Sequence, residues 1–194
     1  MGRPTKAQAE AWTQDLLDTA RALFCEKGYA GTSLDELAVR LRCSKHSIYR
    51  RFTDKEALFG AVVDRDVARF VAALEAARCA DPCPSMALRA MARAYFGFGA
   101  SRDYAALYAV MNLEAATSPR LRLRAGHWAK IALAPMRSGI AAIASEADAG
   151  GLCEVLVDLL DGAANRVRLG EGTAAETEAA FTARWGMFLR LLAT

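Results

Sequence analysis

Apolar residues recur along this chain at the three- and four-residue spacing of helices. Leu16, Leu17, Ala20, Leu23 and Phe24 fall at i, i+1, i+4, i+7 and i+8, one stripe of a helix that ends at Gly28. Gly28-Tyr29-Ala30-Gly31 then turns the chain. Ser33 opens a second helix with a capping box closed by Glu36, and Leu34, Leu37, Ala38 and Leu41 form its stripe. A third, short helix runs from Ser44 as N-cap to about Arg51, with Ile48 and Phe52 facing inward. Thr53 and Glu56 predict another capping box, followed by Leu58, Phe59, Val62, Val63, Val67, Phe70, Val71 and Leu74 on one side. That helix is about 25 residues long and stops before Pro82 and Pro84.

The helical pattern continues over about 85–98, 103–117, 119–146 with a kink expected at Pro135, 151–169, and 173–193, the last opened by a Thr173/Glu176 capping box. No stretch alternates as a strand. The expected fold is all-α with about nine helices. Residues 1–55 read as an arm and a three-helix head, and residues 56–194 as a larger helical domain. The long helix after Thr53 is expected to act as a lever between them.

Two consecutive short helices, each with one buried stripe and joined by a tight Arg42-Cys43 turn, describe a helix-turn-helix. In that motif the start of the second helix meets base edges in the major groove. Lys45, His46 and Ser47 take those positions; a lysine suits guanine O6 and N7, and a serine suits several bases. Tyr49, Arg50, Arg51 and Lys55 are placed for phosphates. Charge changes the picture only once it is located. Residues 1–55 hold ten Lys/Arg against seven Asp/Glu, and the remainder holds fifteen of each, so the whole net charge of +3 lies in the head. Arg40, Arg42, Lys45, Arg50 and Arg51 crowd into twelve positions without an acid, enough to neutralise several phosphates. The leader Gly2-Arg3-Pro4-Thr5-Lys6 reads either as a basic arm for a minor groove or as a solubilising tail.

The run from Leu17 to Ala38, with Cys25-Glu26-Lys27-Gly28-Tyr29 and Thr32-Ser33-Leu34 within it, is followed by Ser44-Lys45-His46-Ser47-Ile48-Tyr49-Arg50-Arg51-Phe52 and Lys55-Glu56-Ala57-Leu58-Phe59. Over roughly residues 12–60 this closely resembles the tetracycline-repressor (TetR) family. The resemblance implies an all-helical homodimer with a three-helix DNA-binding head and a C-terminal lobe that binds a small ligand and dimerises. It also implies that Tyr49 and Lys55 touch phosphates, and that Thr32 and Ser33 anchor the second helix on the DNA backbone. Two positions depart from the family pattern: Arg42 stands where glycine is common in the turn, and His46 where glycine is frequent. Arg42 is therefore expected either in a left-handed conformation at some cost or in a turn of different form, and operator preference cannot be borrowed from relatives.

Tyr95, Phe96, Tyr108, Met111, Trp128, Met136 and Asn165 are the candidate lining of an effector pocket, with Phe98 and Tyr104 in the same pool. Few acids lie among them, which disfavours a large cation, although Glu114 and Asp158 keep it open. The resemblance places dimerisation on the last two helices, giving Leu152, Val155, Leu156, Leu159, Phe181, Trp185, Phe188 and Leu189 as interface candidates; an intrachain core reads the same in sequence.

The five cysteines are odd in number and scattered, as reduced thiols are. Cys79 and Cys83 match neither a redox nor a zinc spacing, and no metal or other cofactor is implied. Cys43 lies beside cations that would lower its thiol pKa, or else is a buried turn residue. Gly97-Phe98-Gly99 and Gly170-Glu171-Gly172 read as helix stops, and no nucleophile elbow or metal-ligand cluster points to an enzyme. With no long apolar run and no signal peptide, the expected location is the cytoplasm. These features converge on a ligand-responsive transcription regulator, a repressor that binds a palindromic operator as a homodimer and is released by a small apolar or aromatic effector. The alternatives are a helical protein-interaction module and a redox-responsive regulator that uses Cys43.

Overall fold

A computed structural model describes residues 5–145, 147–170 and 173–192. Among them are nine helices and no strand: α1 Lys6–Gly31, α2 Leu34–Arg40, α3 Lys45–Tyr49, α4 Lys55–Cys79, α5 Pro84–Ala100, α6 Arg102–Thr117, α7 Pro119–Ala141, α8 Ala149–Leu169 and α9 Ala174–Leu192. The all-α expectation therefore holds. The chain packs as two units, Met1–Asp66 with Ala106–Ala125, and Val67–Ala105 with Gly126–Thr194.

The first unit carries the head. Its core takes Leu16, Leu17, Ala20, Leu23 and Phe24 from α1, Leu34, Leu37 and Ala38 from α2, Ile48 from α3, and Leu58, Phe59, Val62 and Val63 from α4. Phe24 meets Phe59 edge to face with centroids 5.0 Å apart, and Tyr29 meets Phe59 at 5.3 Å. Ile48 is fully buried, which stabilises the short α3 by about 1.5–3 kcal/mol. Helix α1 breaks where the stripe ends: Gly28 has φ 71° and ψ 176°, a conformation that needs the missing Cβ. The start of α1 lies further upstream than the leader reading allowed. Thr5 and Gln8 form a full capping box, so Lys6 is helical rather than part of an arm. Gly2, Arg3 and Pro4 lie outside the described residues.

The caps sort into those set by immediate neighbours and those redirected by tertiary partners. Ser44 accepts from the Ser47 amide at 3.2 Å, and Thr173 and Glu176 exchange both bonds of their box. Ser33 accepts from the Glu36 amide at 3.1 Å, but the Glu36 carboxylate turns instead to Lys27 and Arg40, so the expected box is only half made. The Thr53/Glu56 box is replaced: Asp54 accepts from the Ala57 amide at 2.7 Å, and Glu56 faces Arg120 at 3.4 Å.

In the second unit Phe70, Leu74, Leu88, Met91, Phe96, Met136, Ile140, Leu156, Leu160, Phe181, Trp185 and Phe188 form one buried cluster. A Cβ at Gly99 would lie 3.0 Å from the Ala164 methyl, so α5 and α8 approach closely there. Gly97 and Gly99 consequently lie inside α5, not at a stop before it ends. Helix α7 ends at Ala141, earlier than its apolar pattern suggested. The Ile140 carbonyl accepts from the amides of both Ile143 and Ala144 and tightens the last turn. No helix among the described residues is long and apolar enough to cross a membrane.

Candidate nucleic-acid interface

The turn between α2 and α3 is made by Leu41, Arg42 and Cys43. Arg42 has φ 50°, the left-handed conformation rather than a turn of different form, and among the described residues no other non-glycine has a positive φ. Its amide reaches the Val39 carbonyl at 3.1 Å and the Cys43 amide reaches that of Ala38 at 3.0 Å, so the turn is closed by its own backbone. Burial pushes the Cys43 thiol up, opposite to the lowering expected from neighbouring cations. A raised, half-buried thiol is less available as thiolate, which weighs against the Cys43 redox reading.

With Ile48 anchored in the core, the remaining side chains of α3 and its flanks are set outward. Arg42, Ser44, Lys45, His46, Arg50 and Arg51 are exposed, Tyr49 is 48% exposed, and Ser47 is half-buried with its hydroxyl 3.0 Å from that of Ser44. The cations on this edge differ in their commitments. Arg42, Arg50 and Arg51 enter no ion pair among the described residues. Lys45 pairs with Asp35 of α2. Arg40, which sequence grouped with them, is turned away toward Glu26 at 2.9 Å and Glu36 at 3.0 Å. Hydrogen bonds from Lys27, and then from Arg40, hold the Glu36 carboxyl below its usual range.

Thr32 is buried in the head, and Lys55 is half-buried with its ammonium turned to backbone carbonyls. Thr32 is 2% exposed, and its hydroxyl donates to the Gly28 carbonyl at 2.8 Å, satisfying the break in α1. The Lys55 ammonium donates to the carbonyls of Tyr29 at 2.8 Å, Thr32 at 3.1 Å and Ala30 at 3.5 Å, and lies 4.5 Å from the Tyr29 ring centroid. It closes the end of α1 as a cap and a cation–π partner. Ser33 is exposed and serves as the N-cap of α2. Arg3 lies outside the described residues.

Residues 16–62 match the family model described as bacterial regulatory proteins, tetR family, the span that builds this helix-turn-helix. Residues 16–62 thus carry a region of the tetR family type. The chain is 41% identical over 75 residues to the HTH-type transcriptional repressor ComR of Escherichia coli strain K12, covering 39% of this chain and 34% of ComR. The match thus spans about a third of that relative's length. A TetR-family transcriptional regulator from Mesorhizobium loti shares the fold over 97% of this chain and 98% of its own, with TM-score 0.81 and 23% identity. The transcriptional regulator FadR from Bacillus subtilis, solved in complex with stearoyl-CoA, aligns over 91% of this chain and 97% of its own, with TM-score 0.74 and 14% identity.

The remainder of the chain is helical, and the candidate pocket residues scatter within it. Phe96 and Met136 are fully buried members of the second unit's core, and Trp128 is 3% exposed. Tyr95 donates to Asp161 at 2.9 Å, while Asn165 is exposed and accepts from Arg168 at 2.7 Å. Tyr108, 52% exposed, and Met111 belong to the first unit. Phe70, Phe98 and Tyr104 pack as one aromatic group, with centroids 4.9–5.8 Å apart. Of the interface candidates, Leu156, Phe181, Trp185 and Phe188 lie in the chain's own core and Leu152 and Leu159 are half-buried. Val155 and Leu189 are 40% and 43% exposed, accompanied by Met187 and Leu191.

Sequence reasoning missed Asp35, whose place three residues after Thr32 carries no signal of its partner. It also missed the Thr5–Gln8 box, which a T-x-x-Q pattern before a helical run does announce.

Proposed function

We propose that this chain is a ligand-responsive transcriptional repressor of the cytoplasm that binds a palindromic operator as a homodimer. The observation that carries the reading is the α3 edge. Arg42, Arg50 and Arg51 are exposed and, among the described residues, enter no ion pair beside the first turn of a helix fixed from behind by Ile48, as docking into a major groove requires. Tyr49, Arg50 and Arg51 then meet phosphates, and His46 and Ser47 the groove, while Ser44 caps the helix that carries them. Lys55 and Thr32 contribute by holding the α1 to α2 connection in place, and Ser33 by capping α2.

The dimer is assigned to α8 and α9 through their exposed apolar side chains Val155, Met187, Leu189 and Leu191, with Leu152 and Leu159 beside them. The effector is assigned to the body, where Tyr95, Trp128, Met136 and the aromatic group of Phe70, Phe98 and Tyr104 supply an apolar, aromatic lining with few polar groups. A bound acyl-CoA in FadR, a protein of the same fold, accords with an apolar ligand. Occupancy selects a dimer whose heads no longer match major grooves one turn, about 34–36 Å, apart.

The test is retention of fragments of the source genome by the purified chain at low ionic strength, followed by a salt titration. A selected palindrome and a steep loss of binding with salt are expected. Failure to retain any duplex at low salt overturns the reading.

A further inference from the structure

Asp35 is the second residue of α2 and is exposed, yet its carboxylate is paired with Lys45, the first residue of α3. The two acids of this stretch behave differently. Glu36 is engaged by Lys27 and Arg40 on the far flank, whereas Asp35 reaches across the turn to the edge that carries Arg42, Arg50 and Arg51. From Val39 to Arg51 the sequence contains no acid, so Asp35 brings a negative charge to an otherwise cationic surface. In the proposed complex that surface faces phosphates and base edges. A carboxylate there has only acceptor oxygens, and phosphates, guanine O6 and N7, and thymine O4 are acceptors too. Cytosine N4 and adenine N6 are the base groups in the major groove that can donate to it.

We propose that Asp35 is a specificity-determining residue of the DNA-binding surface. It keeps the Lys45 ammonium in a neutral pair at the groove-facing start of α3, so that docking is favoured only where a base edge offers an exocyclic amine to the carboxylate and an acceptor to the ammonium. The inference rests on the DNA-binding reading above. Under it, Lys45 adds no net charge to non-specific binding, and Asp35 penalises sequences that present acceptors alone.

The experiment compares the full chain with Asp35→Asn, Asp35→Ala, Lys45→Ala and the double variant Asp35→Asn/Lys45→Ala. The probes are a random-sequence duplex pool and the duplex selected by the wild type, each measured across a salt series. An exposed pair adds little to folding, so every variant should keep the wild-type melting transition. Freeing Lys45 by Asp35→Asn or Asp35→Ala is expected to raise affinity for random duplex about three- to tenfold and to steepen the salt slope by about 0.9 per subunit. Preference for the selected duplex should fall by roughly tenfold, the worth of one base-pair discrimination. Lys45→Ala, leaving the carboxylate uncompensated, should weaken binding to every duplex, and the double variant should return random-duplex affinity close to wild type. A wild type that binds while both Asp35 variants keep its slope and its discrimination overturns the proposal alone. Loss of affinity for every duplex in both Asp35 variants also overturns it. A wild type that binds no duplex overturns the DNA-binding reading and this proposal with it.

Discussion

Arg21 of α1 and Asp66 of α4 are joined Nε to Oδ2 at 2.6 Å, with side chains only 15% and 8% exposed. The pair lies 45 residues apart in sequence and ties α1 to α4. Breaking such a pair from one side leaves a charge in a poorly hydrated site, which costs more than the pair itself contributes. Asp66→Ala is expected to destabilise the first unit by about 3 kcal/mol, whereas Arg21→Met with Asp66→Leu should recover most of that loss. Urea denaturation followed by tryptophan fluorescence and far-UV circular dichroism measures both. Equal destabilisation by the single and the double variant would show that packing, not charge, holds this site.

The short helix α3 owes its start to Ser44, whose hydroxyl accepts from the Ser47 amide, and its hold on the head to Ile48. Ser44→Ala should cost about 1 kcal/mol, and Ile48→Ala about 2–5 kcal/mol. Both should reduce DNA affinity through the population of formed α3. Added osmolyte, which favours the folded head, should therefore restore binding by Ser44→Ala. A direct contact by Ser44 would instead leave a deficit that osmolyte does not repair.

What sequence revealed and what it concealed divide along the range of the interactions. Stripes such as Leu16–Phe24, the Ser44 and Thr173 caps, the break at Gly28 and the left-handed Arg42 depend on residues within a turn or two, and each was legible. The partners of Glu36, Asp35 and Lys55 are set by how helices fold back on one another. Glu36 was assigned to Ser33 because the box is local, yet Lys27, nine residues upstream, provides a full charge that a backbone amide cannot match. Lys55 is expected at phosphates from its place in the head and from the family resemblance, whereas its carbonyl partners, 23–26 residues away, have no local signal. The candidate site was thus readable as an edge, while the division of its cations into paired and unpaired was not.

Arg42 carries two separable effects. Its φ of 50° costs an L-residue about 1 kcal/mol that glycine does not incur, offset in part by the greater chain entropy of glycine. Arg42→Gly should therefore raise the melting temperature slightly while lowering the salt slope of DNA binding by about 0.9 per subunit, because one phosphate partner is lost. Arg42→Ala, which keeps a Cβ at that φ, should lower the salt slope alike without raising the melting temperature. If Arg42→Gly left the salt slope unchanged, Arg42 would have no place on the DNA.

The carboxyl of Asp161 is raised chiefly by burial, with the charge of Asp158 adding to the effect against the hydrogen bond from Tyr95 and the charge of Arg168. A carboxyl raised in the folded state holds its proton over a window in which the unfolded chain has released it. Stability therefore falls as pH rises from about 4 through the raised value, and the loss is complete above it. Asparagine keeps an oxygen for the Tyr95 hydroxyl without the charge. Asp161→Asn should match the wild type in melting temperature near pH 4, exceed it increasingly through the window, and keep a constant advantage at higher pH. A difference independent of pH would show that Asp161 acts through shape alone. A wild type more stable than the variant at neutral pH would mean that the carboxylate is held by Arg168 more strongly than burial opposes it.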